Sequence, residues 1–132
     1  MLIDTSGLFC LLHAGEPGHA QAVALYESAT VRLTHSYVIA EFVTLAQVRG
    51  LYRQSVLDAI ADLQQCQDVM TVYVDRALHV TALSLLQQRL DKTWSLCDAV
   101  SFILMQRFGI TQALTTDHHF EQAGFVRLLL SQ

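Results

Sequence analysis

Four carboxylates stand where the pattern of the chain gives them chemistry to do. Asp4 closes the β-rich run MLID, and Asp117 follows directly on another, QALTT. Glu41 lies early in SYVIAEFVTLAQVRG, with Tyr37, Val38, Leu45 and Val48 three, four and seven positions away. Helical spacing therefore brings its side chain out of an apolar stripe. Asp98, in SLCDAVSFILMQRFG, shares a stripe with Phe102 and Met105. A carboxylate on a buried face must be paired, protonated or bound to metal. Four that converge repel one another unless protons or a cation intervene. An oxygen-only donor set selects magnesium, with manganese as the alternative, over zinc.

Each acid also has a plain structural reading. Asp is a preferred N-cap, so Asp4 and Asp117 each suit the start of a following helix. Ser95 and Asp98 resemble a capping box with Asp in place of the usual Glu. Glu41 has the option of an ion pair at the edge of its stripe, and Ser36 is placed to cap its helix. Taken singly, the residues leave both readings open; the case for a shared site rests on their combination.

Short β-rich runs alternate with longer helical patterns. The strand candidates are MLID, VRLTH (Val31–His35), VMTVYV (Val69–Val74), QALTT (Gln112–Thr116) and VRLLL (Val126–Leu130). Between them run apolar stripes such as Val56, Leu57, Ile60 and Leu63, or Leu78, Leu83, Leu86 and Leu90. Strands separated by helices pair in parallel, which implies an α/β, three-layer αβα sandwich around a central parallel sheet of about five strands. In such a sheet ligands bind beyond the carboxyl ends of the strands, where Asp4 and Asp117 lie. Pro17, with Gly15 and Gly18, breaks the chain after the first helix, and Gly50 and Gly109 are placed to stop two others.

The 132 residues contain no divider, so one domain over 1–132 is expected. Hydrophobic residues make up 52% and charged residues 15%, against a typical charged share of about 25%. That imbalance leaves apolar surface for a partner. A net charge of −4 argues against general adhesion to nucleic acid or anionic membrane. No apolar run approaches the roughly 18 residues that span a bilayer. The start has no basic n-region, so a cytoplasmic protein is expected. Cys10, Cys66 and Cys97 are odd in number, lack C-x-x-C spacing and suit core thiols.

With these residues in view, the chain resembles the PIN-domain family, and within it the toxin ribonucleases of VapBC-type toxin–antitoxin pairs. MLIDTSGLF resembles the family's first strand, THSYVIAEFVTL the segment of the second acid, WSLCDAVSFILMQRFGI that of the third and ALTTDHHFEQAGF that of the fourth. The resemblance runs nearly end to end. It implies a magnesium-dependent endoribonuclease with Asp4, Glu41, Asp98 and Asp117 as catalytic metal ligands, and Ser6 and Thr116 as supporting hydroxyls. It further implies an RNA substrate, a homodimer and a cognate antitoxin whose tail fills the active-site groove. Cys97 departs from the Thr or small polar residue more usual before the third acid. Asp4 and Asp98 are the expected direct ligands, with Glu41 and Asp117 acting partly through water.

Arg32, Arg49, Arg53, Arg76, Arg89, Lys92 and Arg107 are available to phosphate. Trp94, just before a helix start, suits a packing anchor better than a base-stacking platform. His118 and His119 raise a metal-free rival using the RNA 2′-hydroxyl, but adjacent turn residues seldom converge on one atom. A phosphatase with Asp4 as nucleophile is disfavoured by Ser6, where a second Asp is expected. The alternative from another class is a catalytically silent PIN-like binding module, which nothing in the four acids requires.

Overall fold

Alternation along a two-residue strand decides the architecture. Leu2 and Ile3 are both fully buried, yet they belong to different cores on opposite faces of one sheet. The computed structural model describes residues 1–130. Along the chain run β1 (Leu2–Ile3), α1 (Thr5–Leu12), α2 (His19–Ser28), β2 (Leu33–His35), α3 (Ser36–Val48), α4 (Arg53–Gln65), β3 (Met70–Val72), α5 (Arg76–Gln88), α6 (Leu96–Phe108), β4 (Gln112–Leu114), α7 (His119–Gln122) and β5 (Val126–Arg127). The sheet order is β3-β2-β1-β4-β5 and every pairing is parallel. On one face Ile3 and Leu114 meet α1 to α4 through Leu8, Phe9, Val38, Phe42 and Ile60. On the other, Leu2 and Ala113 meet α5 to α7 through Leu78, Val100, Met105 and Phe120. The expected αβα sandwich with five parallel strands is the fold found.

Each strand is shorter than its apolar run, and at β1 and β2 the chain turns from strand end to helix start almost at once. Asp4 links β1 to α1, and His35 ends β2 while its Nδ1 accepts from Val38 N–H to cap α3. Ser36, expected to cap α3, instead accepts from Val74 N–H at 2.9 Å and ties the chain leaving β3 to this corner. Gly50 and Gly109 take φ of 72° and 67° just past α3 and α6, the left-handed ends expected of them. The Leu stripes are less complete than their spacing suggests. Leu83 and Leu90 lie exposed while Ala82 packs in their place, and Leu57 is also exposed. Cys10 and Cys97 are buried free thiols, whereas Cys66 is only half-buried. Among the described residues no helix is long and apolar enough to cross a membrane.

One contact fixes how α1 leaves β1. A Cβ on Gly7 would stand 1.8 Å from the carbonyl oxygen of Leu114 in β4, so the helix sits on the strand backbone with no room for a side chain. Gly7→Ala is expected to push α1 off β4, at a cost of roughly 1–3 kcal/mol or more. Thermal denaturation checks this; an unchanged melting temperature would show that the backbone relaxes freely.

Candidate active site

The sheet order reverses at β1, since the chain moves outward to β2 and β3 on one side and returns to β4 and β5 on the other. A crevice opens at such a switch point beyond the strand carboxyl ends. Asp4 follows β1 and Asp117 lies three residues beyond β4, so both stand at its floor. Glu41 comes from the second turn of α3 and Asp98 from the first turn of α6. All four line one open cleft of about 960 Å³, together with Ser6, Thr116 and His119.

The floor is a relay of hydroxyls. Thr115 donates to Asp4 Oδ2 at 2.8 Å and accepts from Asp117 N–H at 3.0 Å. Its proton is thus committed, so Ser6, 3.2 Å away, is the donor between the two hydroxyls. Ser6 accepts in turn from Thr116 N–H at 3.0 Å. Thr116, expected as a supporting hydroxyl, contributes its backbone; the hydroxyl on the carboxylate is that of its neighbour Thr115. The two residues sit adjacent at a strand end, and alternation alone decides which one points at β1.

Asp98 does form the capping box, with Ser95 N–H on its Oδ2 at 3.0 Å and its own N–H on Ser95 Oγ at 3.0 Å. The same Oδ2 meets His119 Nδ1 at 2.9 Å. Asp117 Oδ1 accepts from His119 N–H at 2.9 Å, and Glu41 Oε1 accepts from Thr5 at 3.1 Å. Asp4 occupies the N-cap position of α1 without capping it; its carboxylate is turned to Thr115. Each of the four therefore has one oxygen held by the protein's own donors.

Glu41 departs from its expected setting. The stripe around it is core at only one end: Val38 is fully buried, whereas Val48 is 79% exposed and lines the cleft with Leu45. Glu41 stands on that wall as an exposed residue whose carboxyl end is half sheltered. Partial burial raises its pKa, the Thr5 hydrogen bond opposes this, and the Asp98 charge raises it further. The Cys97 thiol is pushed well up by burial and by the nearby Glu41 and Asp4 carboxylates, so it stays protonated.

Asp4 is the most deeply placed acid, and burial pushes its carboxyl up to about 7. Hydrogen bonds from Thr115 and the Thr5 backbone offset part of this, while the Asp98 and Asp117 charges add to it. No Lys or Arg is among the residues lining the cleft. Arg49 pairs with Glu16 and Arg89 with Asp91, away from it. Four hard oxygens around a cleft without Lys or Arg fit a divalent cation, and no thiolate is offered to compete. Trp94 is a packing anchor: it is buried, meets Phe102 edge-on at 5.0 Å and donates Nε1–H to Gln122 at 3.0 Å.

A doubly wound parallel sheet with a carboxylate-lined crevice at its switch point defines an acidic-site α/β domain. The PIN domain model matches residues 1–126, and the chain belongs to the PIN domain family. Two relatives, each named 23S rRNA-specific endonuclease VapC20 and each from a strain of Mycobacterium tuberculosis, are 32% identical over 129 residues, covering 97% of both chains. The crystal structure of Mycobacterium tuberculosis VapC20, described as a Sarcin-Ricin loop cleaving toxin, superposes with a TM-score of 0.84 at 30% identity, over 95% of each chain. The family resemblance carried by the four acidic motifs is thereby borne out.

The raised Asp4 carboxyl has a signed consequence. An unfolded Asp titrates near 3.8 and the folded one near 7, so the folded chain binds the extra proton and loses stability as pH rises between those values. The full cost above neutrality is roughly 4 kcal/mol before relaxation. In EDTA, Asp4→Asn is expected to melt above the parent by about 5 °C or more at pH 8, with the gap closing toward pH 4. Differential scanning calorimetry across that range checks it; a variant that melts lower at every pH would show that the carboxylate is not strained.

Proposed function

We propose that the chain is a divalent-metal-dependent endoribonuclease, a single nuclease domain over its 132 residues, and the toxin of a type II toxin–antitoxin pair. The observation that carries the reading is the convergence of Asp4, Glu41, Asp98 and Asp117 on one cleft with no Lys or Arg among its lining residues. Support comes also from the VapC20 relatives, whose named target makes 23S rRNA the first substrate to test.

Asp4 and Asp98 are the proposed direct holders of Mg2+, or of Mn2+, with Glu41 and Asp117 completing the shell partly through water. Such a cation supplies charge neutralisation for the phosphate and a more acidic water as nucleophile. Thr115 and Ser6 hold Asp4 in place, and the Ser95 and His119 donors do the same for Asp98. Glu41, whose pKa partial burial raises, is the proposed acceptor of the proton of the attacking water. Attack on phosphorus breaks the bond to the 3′ oxygen and leaves a 5′-phosphate and a 3′-hydroxyl. A histidine mechanism is disfavoured by geometry, since His119 Nδ1 is engaged by Asp98 and His118 faces solvent.

A strip of exposed apolar side chains runs on from the cleft wall, with Val48 at 79% and Tyr52 at 75% exposure. It supports an antitoxin segment lying along α3 and α4 into the cleft. Val80 and Leu83 on α5, with Tyr73 before it, are exposed as well and support a homodimer. The proposed setting is cytoplasmic.

RNA cleavage is expected only with magnesium or manganese and is expected to stop in EDTA, with 5′-phosphate products identified by end-labelling. Asp98→Asn and Asp117→Asn are expected to lose at least about a hundredfold in rate, about 2.7 kcal/mol of transition-state stabilisation. Cleavage that persists in EDTA, or 2′,3′-cyclic products, would overturn the metal mechanism. Analytical ultracentrifugation is expected to give a dimer at micromolar concentration, and Val80→Glu with Leu83→Glu to shift it to monomer. A parent that sediments as a monomer would remove the homodimer from the proposal.

A further inference from the structure

The sheltered cation-capable side chain of the cleft is not aimed at open solvent. His119 is only 17% exposed, and its Nδ1 lies 2.9 Å from Asp98 Oδ2 and 3.4 Å from Asp117 Oδ2. On the far side of the ring Nε2 is 3.3 Å from the Thr93 hydroxyl. Its backbone N–H holds Asp117 Oδ1 at 2.9 Å. One residue thus grips two of the four acids, one through the ring and one through the main chain. The ring has little freedom, because the next residue, Phe120, is fully buried and meets Phe102 edge-on at 5.0 Å.

The direction of the Asp98 bond follows from chemistry. Asp98 Oδ2 is an acceptor, so Nδ1 must carry the proton, whether the ring is neutral or charged. Nε2 then has Thr93 Oγ–H as its donor when the ring is neutral. With Ser95 N–H and His119 Nδ1–H both on Oδ2, the lone pairs of that oxygen are occupied. Among the described residues no hydrogen bond reaches Asp98 Oδ1. The ring therefore sets which oxygen of Asp98 is left for the cleft.

We propose that His119 is a positioning residue: it donates Nδ1–H to Asp98 Oδ2, bridges Asp98 to Asp117, and turns Asp98 Oδ1 toward a divalent cation without ligating it. The inference rests on the proposed metal site, and its role is of the kind that groups behind the direct ligands play in tuning metal affinity. His118, beside it and exposed, makes no such bridge.

The test uses the geometry of the two ring nitrogens. In His119→Asn the side-chain amide takes the place of Nδ1–H, whereas in His119→Gln it reaches the place of Nε2, and His119→Ala supplies neither. Mn2+ binding is measured by isothermal titration calorimetry on the full chain, alongside the metal-free melting temperature. His119→Asn is expected to keep the parent dissociation constant within about threefold, and His119→Gln and His119→Ala to weaken it by roughly tenfold or more. Thr93→Val, changing an exposed side chain, is expected to fall between. Nitrogen-15 spectra of the ring are expected to show a protonated Nδ1 with and without diamagnetic Mg2+.

Equal Mn2+ affinity in the parent and His119→Ala overturns the proposal while leaving the metal site standing. Loss in His119→Asn as large as in His119→Ala overturns it too. So does a Nδ1 that loses its proton to solvent when Mg2+ binds, which makes His119 a ligand. A parent that binds no Mn2+ overturns both this inference and the functional reading beneath it.

Discussion

Thr115 donates its hydroxyl to Asp4 Oδ2 across the junction of β1 and β4, and the position of the whole acidic cleft follows from that bond. It requires the two central strands to be in register, Ile3 beside Leu114. It also requires α1 to depart from β1 close enough to bring Ser6 onto Thr115, which Gly7 permits by lacking a side chain against Leu114. Asp117 is placed by the same hydroxyl through its backbone N–H. A sheet, a glycine and two hydroxyls thus locate two acids from opposite ends of the chain. The remaining two arrive on helices that pack against opposite faces of that sheet.

The electrostatics of this arrangement run against folding and toward binding. Burial alone would make Asp4 prefer its neutral form, and the neighbouring acids reinforce that preference. Among the residues lining the cleft, no Lys or Arg relieves it. A cation bound there gains what the fold loses, since it meets carboxylates already gathered and partly desolvated. The same logic explains how an acidic protein handles an anionic substrate. Positive charge at the proposed point of reaction would come from the proposed cation, and the surface as a whole need not be basic.

Much of this was legible in the sequence because it depends on local periodicity. The alternation of β-rich runs and helical stripes set the αβα fold, and strand ends placed Asp4 and Asp117. What failed depends on three-dimensional neighbours. Glu41 emerges from apolar residues, but it stands with Leu45 and Val48 on the cleft wall while Val38 goes to the core, a division that spacing along one helix does not encode. Thr115 and Thr116 look alike at a strand end; only the pairing with β1 selects Thr115. Ser36 is well placed to cap α3, yet the chain leaving β3 offers the Val74 N–H beside it, and the hydroxyl accepts from that donor. His119 drew notice as half of a histidine pair. Its bond to Asp98 spans 21 positions and has no sequence signal beyond following Asp117 by two.

For Asp98 the capping seen in the structure and the proposed ligation are compatible as two halves of one arrangement. A carboxylate held in this way uses one oxygen on a backbone N–H, as Asp98 does on Ser95 in its capping box and Asp117 on His119 in a local turn. The cap fixes the rotamer of the side chain and the plane of the carboxylate, so the second oxygen is aimed before any ligand arrives. A flexible acid would have to be ordered when the cation binds, at a cost in side-chain entropy. First-turn placement adds the positive end of the helix dipole, which for Asp98 moderates the charge it brings into the cleft. Helix starts at a switch point thus supply carboxylates that the fold itself holds in place. The capping box at Ser95 and Asp98 is in this sense part of the site, and a residue that satisfies the helix is also the one best prepared to hold a metal.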